Sequence, residues 1–161
     1  MTPDRATIFL FSGNMDKAHK SLLLAKSFAE AGMDVTLFFA CWGLNVVKKD
    51  KGRLRGGKGF LQKMMGMMNR GGVSRLPLSR FNWLGMGRTM MTGMMQQHGV
   101  PPTGEMLDIV HKAGVHLWAC SMTMDVTGVD KDDLIPTVEK VVCLNEYTAA
   151  AKEAKVNLFV S

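Results

Sequence analysis

The chain has 161 residues, 47% of them hydrophobic and 21% charged, with a formal charge of +6 at neutral pH. This suits one globular domain with a real hydrophobic core and excludes a disordered or fibrous chain. No run approaches the ~18–20 apolar residues that span a bilayer, and three cysteines, Cys41, Cys120 and Cys143, are too few and scattered for a disulfide framework or zinc cluster.

The opening MTPDRATIFLFSG lacks a signal peptide's basic end, long apolar middle and small-residue cleavage site, so a cytoplasmic location is expected. Arg5–Phe11 (RATIFLF) is a β-branched and aromatic run that predicts a buried strand, ended by Ser12-Gly13-Asn14. From Asp16 to Ala31, apolar residues at 18, 22, 25, 28 and 29 predict a helix that stops at Gly32. Asp34–Ala40 (DVTLFFA) predicts a second strand, completing a βαβ unit.

The rhythm then breaks over residues 48–100. This segment holds eleven Lys or Arg against the single acid Asp50, a net +10, while the rest of the chain is −4. The positive charge is thus confined to one segment, and no nucleic-acid partner is expected. Eleven glycines there argue against a rigid fold of its own, so the segment reads as an inserted, partly mobile helical hairpin or arm. It carries two methionine clusters, LQKMMGMMNR (61–70) and LGMGRTMMTGMMQQH (84–98), around a loop-like GGVSRLPLSRFNW. Met64, Met65 and Met68 share a helical face with Leu61, and Met90, Met91, Met94 and Met95 approximately share another. Packing in the core or between subunits, docking onto an acidic partner or anionic membrane, and copper(I) binding through Met-x-x-Met pairs (64/67, 65/68, 91/94) are three readings of them.

Beyond residue 100 the alternation resumes. Thr103 is placed to cap a helix over 104–112, Val115–Ala119 is strand-like, and Asp130–Leu134 makes an acidic turn before Pro136. Thr137–Val142 predicts a short strand, Leu144–Ala154 an Ala-rich helix and Val156–Val160 a closing strand. The pattern predicts a single α/β domain over 1–161, three-layered α/β/α around a mainly parallel sheet of about five strands, with 48–100 inserted.

In such folds sites collect at the carboxyl ends of strands, at the crevice where strand order reverses. Three segments stand there: Ser12-Gly13-Asn14, Cys41-Trp42-Gly43 and Cys120-Ser121, and they converge if their strands are neighbours. A thiol at a strand end meets backbone N–H groups of the following turn, which favour the thiolate and keep it accessible, with Ser121 and Thr123 as donors. Burial as a core residue is the competing reading of Cys120. Cys41 is a second thiol or a small core residue, and Cys143 is structural. His19, His98 and His111 show no metal-ligand spacing, and His116 reads as a satisfied half-buried side chain. The Ser12-Gly13-Asn14 turn reads as helix capping rather than an anion cradle, and Asp125 as a turn cap or a support for the Cys120 loop.

SGNMDKA after the first strand, DVTLFFACWGLNVVKK at the second and GVHLWACSMTMDVTGVDKDDL around Cys120 together resemble the DsrE/DsrF-like sulfur-relay family, in its long-insertion subgroup. The resemblance covers about two thirds of the chain. It implies a three-layer α/β fold and a homo-oligomer, trimeric or higher. It also implies that Cys120 accepts sulfane sulfur as a persulfide and passes it to an acceptor thiol, acting as a sulfur carrier or sulfurtransferase, whereas members of the long-insertion subgroup often carry another residue where Cys41 stands. Thiol exchange of this kind needs no metal or organic cofactor. The implied partners are a rhodanese and a TusA-type sulfur carrier. The rival expectation is a non-catalytic adaptor that binds a partner, or the membrane periphery, through residues 48–100.

Overall fold

The computed structural model describes residues 3–50, 59–61, 63–64, 71–80 and 85–161. Five strands, β1 (Arg5–Leu10), β2 (Asp34–Phe39), β3 (His116–Cys120), β4 (Lys140–Val142) and β5 (Val156–Val160), form one sheet in the order β4-β3-β2-β1-β5. Every pairing is parallel. Beyond their first residues β1 and β2 are buried along their whole length, which is why they read as unbroken apolar runs rather than alternating ones.

Helices cover both faces. The α1 helix (Met15–Glu30) sets Ala18, Leu22 and Ala25 against Ile8, Leu10 and Leu37, and ends at Gly32, whose φ of +83° suits a residue without Cβ. Helices labelled α2 (Met86–Gln97), α3 (Thr103–Lys112) and α4 (Ser121–Thr127) come later in the chain. Met106, Leu107 and Val110 of α3 join the same core as α1. On the opposite face lies α5 (Leu144–Glu153), whose Tyr147 stacks on Phe38 with ring centroids 4.8 Å apart and meets Phe9 edge-on at 4.9 Å.

The expected three-layer parallel architecture is present, with local differences. Thr103 is the first residue of α3 rather than its cap, because its hydroxyl pairs with His19 Nδ1 at 3.3 Å. The fourth strand is confined to Lys140–Val142, and the third runs on to include Cys120. Asp130 and Asp133 form a reciprocal capping box around the acidic turn Lys131–Asp133. A 3₁₀ segment, Cys41–Val47, follows β2 and sinks Leu44, Val46 and Val47 into the core.

Residues 71–80 do not behave as an arm. Leu76 and Leu78 are buried in the main core, and Pro77 accepts a hydrogen bond from the Met15 N–H at 2.7 Å. Asp16 receives both the N–H and the hydroxyl of Ser79, and Asp50 those of Ser74. Burial would raise the Asp16 carboxyl, but these donors outweigh it and hold the group below its ordinary value. The methionines of α2 divide: Met91 and Met95 pack toward the core, while Met86, Met90 and Met94 face out. The 91/94 pair of the copper(I) reading is therefore split, and the 65/68 and 64/67 pairs lie outside the described residues or extend beyond them.

Candidate functional site

The site is built by register. Phe39 of β2 pairs with Ala119 of β3, and Cys120 of β3 pairs with Val142 of β4. Cys41 and Cys143 each stand just past these neighbouring strand ends, so all three cysteines gather at the carboxyl edge of β2, β3 and β4, with Cys120 in the middle. The site thus lies over these adjacent strands, not at the reversal of strand order between β1 and β5.

Two glycines let the first two loops close onto one another. A Cβ at Gly43 would collide with the carbonyl oxygen of Leu10, and one at Gly13 would stand 2.7 Å from the Trp42 carbonyl oxygen. The Gly43 N–H donates to Phe11 O at 2.8 Å, drawing the turn after β2 across the end of β1. The third loop joins through Thr123, whose Oγ1 accepts the Cys41 N–H at 3.0 Å. Ser12-Gly13-Asn14, Cys41-Trp42-Gly43 and Cys120-Ser121 therefore meet as the sequence suggests.

Exposure divides the three thiols. Cys120 is only 2% exposed, packed with Phe9, Phe38, Ala40, Val142 and Tyr147 between the sheet and α5. A strand ending at Ala119 predicts an accessible thiol after it; as the last residue of β3, Cys120 points instead to the α5 face. Cys41, read as core or second thiol, is exposed. It has φ +51°, the left-handed region that non-glycine residues seldom enter. Beside it Trp42, Met122 and Val126 leave apolar surface open to solvent. Cys143, expected to be structural, is exposed at the residue before α5 and donates from its thiol to Glu146 Oε1 at 3.7 Å.

The supporting residues sort themselves likewise. Ser12 Oγ accepts from the Asn14 N–H at 3.3 Å, Asn14 makes no side-chain cap, and the Met15 N–H is taken by Pro77. The turn fits neither an anion cradle nor side-chain capping. Ser121 opens α4, and Asp125 lies on its exposed side rather than at a cap. His116 sits at the far end of β3, its ring nitrogens 3.2 Å from Asp34 and 2.8 Å from Glu139, as a satisfied half-buried side chain should. His111 lies 4.0 Å from Glu139, and His98 follows α2 on the surface. His19 is buried, and burial together with the Lys20 charge pushes its pKa down. Sequence reasoning missed the row of three thiols and the cover that Tyr147 places over the middle one. The signal was available only in part: each cysteine ends or follows an apolar run, but their lateral order depends on strand pairing.

Known proteins agree with this architecture. The family described as DsrE/DsrF/DrsH-like matches residues 2–159. The Bacillus subtilis (strain 168) "Uncharacterized protein YrkE" is 36% identical over 156 residues, spanning 97% of this chain and 96% of the relative. "Sulfur carrier protein DsrE2" of Allochromatium vinosum is 32% identical over 142 residues, 86% of this chain and 87% of that one. Two solved structures share the fold. MTH1491 of Methanobacterium thermoautotrophicum has a TM-score of 0.54 and 14% identity, covering 97% of this chain and 98% of its own. The ychN protein of E. coli has a TM-score of 0.55 and 16% identity, covering 96% and 98%.

Proposed function

Because this chain belongs to the DsrE/DsrF/DrsH-like family, we propose that it serves in sulfur relay by carrying sulfane sulfur as a persulfide on Cys120. The observation that supports this reading is the position of Cys120 at the meeting of three loops, in the middle of a row of thiols. Its likeness to the Allochromatium protein whose name states a sulfur-carrier role supports the same direction. A Cys120 thiolate attacks the outer sulfur of a donor R–S–SH, the donor S–S bond breaks, and RS⁻ leaves as Cys120–S–SH forms. An acceptor thiolate repeats the exchange in reverse, so no oxidant or reductant is consumed. The aromatic wall of Phe9, Phe38 and Tyr147 keeps the loaded sulfur from stray thiols between transfers. A rhodanese as donor and a TusA-type carrier as acceptor, with assembly of the protein into a homo-oligomer, complete the proposal.

The test is intact mass after incubation with a small persulfide or a loaded rhodanese. One retained sulfur adds ~32 Da, is removed by dithiothreitol, and maps by peptide digestion to Cys120. Absence of any adduct, or its stable retention on Cys143 alone, sinks the assignment.

A second reading, a docking role for the basic insertion, is favoured by the outward Met86, Met90 and Met94 of α2, spaced one turn apart in a segment that holds eleven Lys or Arg against one acid. It predicts co-sedimentation with anionic vesicles that weakens from low to moderate salt, since exposed charges are screened within about 8–10 Å. Salt-independent binding, or none at low salt, rejects it. No helix among the described residues is long and apolar enough to cross a membrane, so such contact is peripheral.

A further inference from the structure

We propose that Cys41 is the receiving thiol of a two-step relay, taking sulfur from an incoming persulfide and handing it to Cys120. The inference rests on the reading of Cys120 as the sulfur-holding residue and deepens it. Sulfur must travel from solvent to a thiol that is 2% exposed, and Cys41 is an exposed thiol just past the end of the neighbouring strand. Ala40, the residue before Cys41, packs in the same apolar cluster as Cys120. Its strand is paired with that of Cys120 up to Phe39–Ala119, and the Cys41 N–H is anchored on Thr123, three residues past Cys120.

The backbone at Cys41 supports the assignment. Among the described residues it is the sole non-glycine residue with positive φ. A side chain there carries backbone strain that glycine would avoid. A thiol held in that conformation, on an exposed turn beside Trp42, contributes no packing to repay the strain. Cys143 follows the strand on the other flank, but its thiol is already donated to Glu146 at 3.7 Å.

Each step balances. Cys41–S⁻ attacks the outer sulfur of R–S–SH, the donor S–S bond breaks, and RS⁻ leaves as Cys41–S–SH forms. Cys120–S⁻ then attacks the outer sulfur of Cys41–S–SH, giving Cys120–S–SH and regenerating Cys41–S⁻. One thiolate is consumed and one released each time, with no net oxidation.

The experiment follows sulfur loading from glutathione persulfide by quenched mass spectrometry with peptide mapping. In the wild type Cys120 should load. In Cys41→Ser and in Cys41→Gly its loading should slow about tenfold or more, because access limits thiol exchange. Cys41→Gly relieves the left-handed strain, so slow loading in that variant cannot be ascribed to a weakened fold. In Cys120→Ser the sulfur should stop on Cys41, and Cys143→Ser should match wild type. Wild-type loading rates in both Cys41 variants, or slowing by Cys143→Ser instead, overturn the relay while leaving Cys120 as carrier. If no cysteine of the wild type loads, the carrier reading itself fails and the relay with it.

Discussion

Gly43 shows how a single residue without a side chain sets the geometry of this site. Its N–H reaches Phe11 O, and its Cα lies so near the Leu10 carbonyl that any Cβ would strike backbone. Backbone cannot yield as a flexible side-chain tip can, so Gly43→Ala should destabilise the protein by about 2–4 kcal/mol, the range of a serious steric change. Urea unfolding measures it through the midpoint at constant slope. A loss below ~0.5 kcal/mol would mean that the loops after β1 and β2 do not close as described. The same closure holds Cys41 at its positive φ, since the Ala40 carbonyl accepts the Gly43 N–H at 2.9 Å and shapes the turn between them.

At the scale of elements, the surprise is the middle of the inserted segment. Charge and glycine content set residues 48–100 apart, yet Leu76 is 2% exposed and lies in the core with the α1 and α3 residues. Leu76→Ala should therefore cost about 2–5 kcal/mol, as for other buried leucines. A triple change of Met86, Met90 and Met94 to Gln should cost little, about 0.5 kcal/mol or less per site, because these side chains face out. Thermal unfolding of the two variants distinguishes the cases. Equal stability of both would mean that the segment packs elsewhere. Lys48, the first residue of the segment, is buried, and burial lowers its pKa against the raising effect of Asp133.

At the scale of the whole molecule, Cys120 is shielded by two layers at once, the sheet beneath and α5 above. Its cover includes Tyr147, whose hydroxyl lies 3.3 Å from Thr7 Oγ1 and whose pKa burial raises. Iodoacetamide should alkylate Cys41 and Cys143 quickly in the native protein and Cys120 at least about 100-fold more slowly, since reaction requires local opening. Tyr147→Ala removes a large side chain from that cover and should accelerate alkylation of Cys120 while leaving Cys41 unchanged. Equal rates at all three cysteines in the wild type would contradict the burial described.

Much of the molecule was legible because its signals are local. The runs RATIFLF, DVTLFFA and VNLFV became strands, α1 followed from helical spacing and α5 from an Ala-rich run, and Gly32 ended a helix where expected. The motif around Cys120 pointed to its family for the same reason: residue types at fixed spacing survive in the chain as written. What the sequence could not supply is lateral placement. Neither the side on which Cys120 points nor its 2% exposure follows from HLWACS. A strand's final residue faces one layer or the other according to where pairing stops, and a single step reverses it. The row Cys41, Cys120, Cys143 exists only because β2, β3 and β4 pair side by side, joining residues as far as 102 positions apart. Local chemistry determined which thiols the protein has, and tertiary pairing decided which of them meets solvent.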